Sequence, residues 1–530
     1  MRKVTQIALA GAKTRLTIAA FMILVMAAGF LLLLANDSLA IALNEHIMLR
    51  NFDGFALQVL FTAGIFALVH GMNTFGSYLR SSFQAETLLR IPRHYIARML
   101  QARHDFFTKR STAELHTTMW TASQASAGFY DMILLTISRM VLFVFYGVVV
   151  FRLDMWAGIF TIAAAPLFFL LTAGLGKWIA SMQHEWVEYN GELSTVTQET
   201  FENAANAKAK GAQGFFVQRS VGILRKIKKI WIRLDTAEAY IANIGRLINI
   251  LAPLLIIFLA MRFSPTFEGT IGAITVLYIN IPLFLGGVAD IHRGLFIHYK
   301  LVKPFLEKLQ EFDNIETESE EGRDIVSFES LRTDAVKVTF EGGRVIAVPD
   351  FEIKKGEKLM FFGESGIGKS TVFNIIMGFQ EYEGAVFING INLREISLSS
   401  LRKVFGITFQ HTNALTLDLS GNILLGAEKS DDELVRLLQL CALEGQHETK
   451  GDDILNNKVL SGGEKSRIGL AQMLVSRPEI MLIDEAFSNM DEELESKIIA
   501  DLFRQYPDCA VICISHRSSS KPFFDRVVEF

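Results

Sequence analysis

The sequence predicts a membrane-spanning α-helical bundle followed by an α/β domain, and three observations carry that expectation. Half of the 530 residues are apolar and only 20% are charged, with a mean hydropathy of +0.31, which is too apolar for an ordinary soluble chain of this length. Six stretches of about 20 mainly apolar residues, the length that crosses a bilayer, fall within the first 300 positions. Beyond residue 335, short apolar runs such as Lys358-Leu-Met-Phe-Phe362 and Ala510-Val-Ile-Cys-Ile514 alternate with helix-compatible stretches, the pattern of an α/β domain.

The spans are expected near 16–36, 54–79, 131–151, 155–175, 245–262 and 270–289. The first has too long an apolar core for a signal peptide and no obvious small-residue cleavage site after it, so it is read as a helix. The third and fourth nearly fuse through Phe151-Arg-Leu-Asp154, which predicts a tight hairpin. Arg2, Lys3, Lys13 and Arg15 precede the first span, whereas the next loop carries Asp37, Glu45 and Asp53 with only Arg50, so the N-terminus is placed in the cytosol. Segments 80–130 and 176–244 then fall on the same side, carry Arg80, Arg90, Arg93, Lys208, Lys210 and Lys226, and show no Gly or Pro cluster. They read as membrane helices continuing into the cytosol, and their basic residues as the positive-inside signal or lipid contacts rather than a nucleic-acid site. The net charge of −4 points the same way.

The acid-rich run Glu316-Thr-Glu-Ser-Glu-Glu-Gly322 marks a linker, giving a membrane domain over 1–312, a linker over 313–334 and an α/β domain over 335–530. All three cysteines, Cys441, Cys509 and Cys513, fall in this last, cytosolic part, and the last two lie in an apolar strand-like run. Neither a disulfide nor a metal site is expected of them.

Gly363-Glu-Ser-Gly-Ile-Gly368-Lys369-Ser370 follows a strand-like run and opens a helix-like one, the context in which G-x-x-x-x-G-K-[ST] binds phosphate. Its glycines let backbone N–H groups approach the phosphates, Lys369 reaches the terminal ones, and Ser370 offers a hydroxyl to magnesium. Downstream, the apolar run Ile480-Met-Leu-Ile483 ends in Asp484-Glu485, at a strand's C-terminal end where ligands of open α/β sheets collect. Asp484 is the expected magnesium partner, and Glu485 the group that polarises water toward a γ-phosphate.

Leu460-Ser-Gly-Gly-Glu464, about twenty residues before Asp484-Glu485, resembles the signature loop of ATP-binding cassette (ABC) transporters. The resemblance extends over nearly all of 335–530: Gln410 matches the magnesium-sensing glutamine, Ser488-Asn-Met-Asp491 the loop after the catalytic acid, and His516 the switch histidine. It implies a six-span exporter-type helical bundle followed by an α/β P-loop ATPase domain. ATP and Mg2+ are then the cofactors, and the partner is a second half-transporter, a homodimer being favoured because every motif is intact. The implied catalytic residues are Glu485 and His516. The implied ATP site is Phe340, Gly363, Glu364, Ser365, Gly366, Ile367, Gly368, Lys369, Ser370, Thr371 and Gln410, with Ser370, Gln410 and Asp484 at magnesium. Ser461, Gly462, Gly463 and Glu464 would face the partner's ATP, and turns near 108–116 and 205–214 would couple the two domains.

The chain departs from the family pattern in carrying Phe340 where an adenine-stacking tyrosine is usual and Glu464 where glutamine is commoner. Segment 450–457 lacks the usual exporter coupling pattern, and the chain stops soon after the switch histidine. The short stretch ahead of the first span predicts no leader-cleaving peptidase. His70, Asn73, Arg139, Arg246, Asn249 and Asn280 are polar within or near spans and are candidates for a translocation path. The expected function is ATP-driven export of an amphipathic peptide, lipid or drug-like molecule from a bacterial inner membrane. An importer of siderophore-like cargo and an ATP-gated regulator that does not pump are the alternatives.

Overall fold

The structure is a computed structural model that describes residues 2–530 except 48–49, 109, 111, 266, 268, 293, 295–297, 341–342, 365, 411, 447–452 and 456–459. The chain forms two compact units: Met1–Leu100 with Ser111–Ile315, and Gln101–Arg110 with Glu316–Phe530.

The first unit is helical. A short helix α1 (Arg2–Ala8) precedes α2 (Ala12–Ile41), which a π-helical turn extends to Ile47, and α3 (Phe52–Leu100) follows. After α4 (Asp105–Thr108), which belongs to the other unit, come α5 (Thr112–Leu153), α6 (Met155–Glu202), α7 (Ala204–Ala209), α8 (Gln213–Phe263), α9 (Ile271–His292) and α10 (His298–Asp313). At about 1.5 Å per residue, the 49-residue α3 is roughly 74 Å long, more than twice a hydrocarbon core of about 30 Å. That length is what the uninterrupted sequence of 80–100 predicts. Among the described residues, Ala12–Ile47, Phe52–Leu100, Thr118–Leu153, Gln213–Phe263 and Ile271–Val288 are long and apolar enough to cross a membrane. The expected span at 155–175 begins α6, whose described apolar stretch is Met155–Leu167.

The hairpin at Asp154 forms as expected. Asp154 caps α6, its Oδ1 accepting from the Ala157 N–H at 2.7 Å, while Oδ2 accepts from the Ser264 hydroxyl at 2.5 Å. The second expected turn is α7 followed by Gly211, at φ 63. The first, expected near 108–116, is narrower: α4 (Asp105–Thr108) ends and α5 begins at Thr112, because 112–122 holds no Gly or Pro to stop it. Residues 109 and 111 of that turn lie outside the described residues, as do 450–452 and 456–457 of the segment that departs from the exporter pattern.

The second unit is α/β. Its antiparallel sheet has the order β2 (Val345–Ala347), β1 (Ser330–Thr339), β5 (Glu383–Ile388), β6 (Ile391–Asn392), with β3 (Glu352–Lys354) also paired to β1. β1 starts inside the stretch expected to be linker. A bulge at Ala335, φ 48, breaks its alternation, so Leu331 and Thr333 face the core before it and Val336 and Val338 after it. The linker itself is paired: Ala102 bridges Thr317, the Arg103 N–H donates to Glu316 O at 3.1 Å, and the Glu318 N–H donates to Gln101 O at 2.8 Å. Arg402 closes on Glu318 at 2.6 and 2.8 Å, and the His104 ring lies 4.7 Å from Phe379. These contacts draw 101–110 into the second unit.

The parallel sheet has the order β10 (Arg526–Glu529), β4 (Lys358–Phe362), β9 (Ala510–Ile514), β8 (Ile480–Asp484), β7 (Phe405–Thr408). β8 and β9 are buried along their whole length, which is why they read as continuous apolar runs. Helices α11 (Lys369–Ile376), α12 (Leu398–Val404), α13 (Leu419–Leu424), α14 (Asp431–Leu440), α15 (Gly462–Val475) and α16 (Glu492–Gln505) complete the unit. Because β4, β7, β8 and β9 run parallel, their C-terminal ends share one edge, and the residues that follow them meet there.

Candidate functional site

The turn between β4 and α11 is shaped by glycine. Gly366 and Gly368 adopt φ of 80 and 122, and a Cβ at Gly368 would stand 2.4 Å from Ile346 Cγ2. Lys369 folds over this turn, its Nζ donating to Gly363 O at 2.8 Å and Glu364 O at 2.7 Å. Burial pulls the Lys369 ammonium below the usual lysine range, opposed by the nearby Glu485 and Asp484. Ser370 Oγ donates to Asp484 Oδ1 at 3.0 Å, joining α11 to the end of β8.

Glu485 follows β8 in the left-handed region, φ 49, which turns its carboxylate across the strand ends. Gln410 Nε2, just past β7, donates to Glu485 Oε2 at 2.7 Å. His516, just past β9, brings Nε2 against Glu485 Oε1 and Nδ1 to 3.0 Å from Gly363 O. The loop beyond His516 is anchored by Arg517, which donates to buried Glu495 and to Ser488 O.

A cavity of about 420 Å3 opens over this turn, lined by Phe340, Arg344 and Ile346 on one side and Gly366, Gly368, Lys369, Ser370, Thr371 and Glu485 on the other. Of the expected residues, Gly363 and Glu364 act from behind as acceptors for Lys369, and Asp484, Gln410 and His516 reach the lining through their hydrogen bonds. Ile367 has an exposed side chain and is not among the residues lining the cavity. Ser365 lies outside the described residues. Arg344 was not foreseen; its Nη2 donates to Gly366 O at 2.5 Å, and the only sequence signal is a cation four residues after Phe340.

Among the described residues no three His, Cys, Asp or Glu side chains cluster to hold a metal. Ser370 Oγ, Asp484 and the Gln410 amide are instead hard oxygen donors, the set that suits magnesium shared with phosphate.

Ser461–Glu464 open α15 as a reciprocal cap: Ser461 Oγ accepts from the Glu464 N–H at 3.2 Å and Glu464 Oε2 accepts from the Ser461 N–H at 2.6 Å. Burial raises the Glu464 carboxyl, but bonds from Ser461 and Gln446 and the nearby Arg467 outweigh it and hold the group below the usual carboxylate range. A Cβ at Gly463 would stand 2.8 Å from Asn489 O, which explains that glycine. None of these four residues lines the cavity.

In the first unit a second cavity, about 460 Å3, is lined by Asn73, Arg139 and Asn249 among others. Three expected path residues do not line it. His70 and Arg246 are exposed elsewhere, and Asn280 is buried, donating to Asn36 Oδ1 at 2.7 Å and Val276 O at 2.8 Å, a contact that joins α9 to α2. Arg80 and Asp290 line the cavity and were not foreseen as path residues.

Two family models match the chain: the ABC transporter transmembrane region over residues 16–288 and the ABC transporter over 347–488. The lactococcin transport/processing ATP-binding protein LcnC-like of Lactococcus lactis subsp. lactis is 24% identical over 82% of this chain, which spans only 62% of that relative's length. The ATP-dependent lipid A-core flippase of Salmonella typhimurium is 23% identical over 97% of this chain and 91% of its own length. A solved structure of a bacterial Atm1-family ABC exporter with ATP bound has the same fold, with a TM-score of 0.79 at 20% identity, covering 98% of this chain and 94% of the other.

Proposed function

The chain belongs to the ABC transporter family, and from that premise we propose that it is an ATP-driven half-transporter that pairs with a second copy and exports an amphipathic molecule across a bacterial inner membrane. The observation that carries the reading is Glu485, held between Gln410 and His516 beside the Lys369–Ser370 turn, in a chain whose other unit is a bundle of membrane-length helices.

ATP enters with adenine against Phe340 and Arg344 and its phosphates over the Gly366–Gly368 turn. Lys369 gives up Gly363 O and Glu364 O to reach the terminal phosphates. Ser370 and Asp484, with Gln410, would hold magnesium, which would supply charge neutralisation to the phosphates. Glu485 orients the attacking water and accepts its proton, and His516 fixes the carboxylate. The γ-phosphate side of this cavity receives nothing from the chain's own Ser461–Glu464, which supports closure by the same loop of a partner. Ser461 suits that contact, because its oxygen accepts from the Glu464 N–H and its O–H can still donate.

Steady-state ATPase activity of the purified chain in lipid nanodiscs, measured beside Glu485→Gln, tests the reading. Turnover by the wild type and its loss in the variant support a self-sufficient homodimer. Turnover that survives the substitution overturns the assignment of Glu485, and a wild type inactive under every condition overturns the homodimer.

A further inference from the structure

The turn that carries Glu485 is held at both ends by two consecutive residues of one loop. His516 meets the Glu485 side chain. Arg517 reaches the far end of the same turn, its Nη2 donating to Ser488 O at 2.9 Å. The turn closes on itself through the Ser488 N–H, which donates to Glu485 O at 3.0 Å, and on β9 through the Glu485 N–H, which donates to Ile514 O at 3.1 Å.

Glu485 needs such ties. Its φ of 49 lies in the left-handed region, which a residue with a Cβ disfavours and keeps only while its surroundings hold it there. Two of the ties are backbone bonds, whereas the grip on Ser488 O depends on a side chain.

Arg517 is itself fixed from behind. Its Nη1 donates to Glu495 Oε2 at 2.5 Å, and Ser520 Oγ donates to Glu495 Oε1 at 2.5 Å, so both carboxylate oxygens are occupied. The Glu495 side chain is only 2% exposed, against 28% for Arg517. Glu495 stands in the first turn of α16, a helix anchored in the core through Ile498, Ile499 and Leu502. A buried ion pair adds little stability over apolar side chains of the same volume, but a planar guanidinium fixes two directions at once. Here one direction is α16 and the other is the turn after β8.

We propose that Arg517, oriented by Glu495, is a positioning residue for the Glu485 carboxylate. It holds Ser488 O against α16, so the 485–488 turn keeps its left-handed start and Glu485 keeps its aim at the attacking water. Without that grip the turn relaxes toward an ordinary backbone and the carboxylate swings away from the strand ends. Arg517 does not line the 420 Å3 cavity, so it reaches the chemistry through the turn alone. The inference rests on the hydrolytic reading of Glu485 above.

The test measures kcat and KM for ATP separately on the full chain in lipid nanodiscs, for the wild type, Arg517→Lys, Glu485→Gln and the two substitutions combined. Lysine leaves Glu495 a cation but lacks the fork that spans Glu495 and Ser488 O. Arg517→Lys is expected to lower kcat at least about tenfold and to leave KM within about twofold. In the Glu485→Gln background the same substitution is expected to change residual single-turnover hydrolysis by less than about twofold, because no base is left to aim.

Arg517→Met combined with Glu495→Met removes the pair without stranding a buried charge. It is expected to melt near the wild type and to show the kcat loss of Arg517→Lys. Wild-type kcat in both Arg517→Lys and the paired methionine variant, KM rising in step with the fall in kcat, or losses that multiply with that of Glu485→Gln overturns the proposal and leaves Glu485 its role. A lower melting temperature with kcat unchanged marks a pair that only stabilises, and overturns it too. Turnover that survives Glu485→Gln faults the hydrolytic reading itself, and the proposal falls with it.

Discussion

Gln410 Nε2 donates to Glu485 Oε2 over 2.7 Å, so the loop past β7 is tied to the residue that follows β8. The carboxylate's other oxygen meets His516. Glu485 is thus oriented by two neighbours, and Glu485→Gln keeps its size while removing its capacity to take a proton. The variant is expected to bind ATP with near wild-type affinity and to turn it over roughly 10²–10⁴-fold more slowly. Radiolabelled ATP binding and phosphate release measure the two quantities, and a parallel loss of both would refute a role confined to the chemical step.

Phe340 lines the 420 Å3 cavity opposite the glycine turn. Stacking of a base on an aromatic ring is worth about 1–3 kcal/mol, so Phe340→Ala should raise KM for ATP roughly tenfold and leave kcat within about twofold. Phe340→Tyr should restore KM. An unchanged KM in the alanine variant would show that adenine lies elsewhere.

Asp154 joins α5, α6 and α8 through one side chain, capping α6 and accepting from Ser264 while 4% exposed. Asp154→Ala loses a cap worth about 1 kcal/mol and leaves the Ser264 hydroxyl without this acceptor, at about 1–3 kcal/mol more. A fall of several degrees in the melting temperature of the detergent-purified chain is expected, and Asp154→Asn should recover most of it. Equal melting of Asp154→Ala and wild type would remove the hairpin from the determinants of stability.

Burial pushes the thiols of Cys441 and Cys509 up to about 12 and raises Cys513 as well. For an acid whose neutral form is favoured, the reactive thiolate appears only as pH rises through the shifted value, far above the usual ~8.5 of a free thiol. Maleimide near neutral pH should therefore leave all three unlabelled in the native chain and label them after denaturation. Rapid native labelling would mean that the strand or helix holding the thiol opens readily.

Much of this was legible in the sequence for a physical reason. β4, β8 and β9 are buried parallel strands, so they read as unbroken apolar runs, and the residues that follow them fall on one edge by topology alone. β1 was less legible, because the bulge at Ala335 shifts its inward face by one residue. Arg344 carries no pattern, since its part depends on a contact with Gly366 across the fold. In the spans, composition marked polar residues but not helix rotation: Asn249 faces a cavity, and Asn280 turns to Asn36.

The pairing of 101–103 with 316–318 means that the α/β unit is not a contiguous stretch of chain. A gene fragment starting at Glu316 would encode a body lacking the strip that carries Arg103 and His104, with the Phe379 ring stripped of one neighbour. Shuffling this portion between related proteins would accordingly demand that the decapeptide 101–110 travel with it.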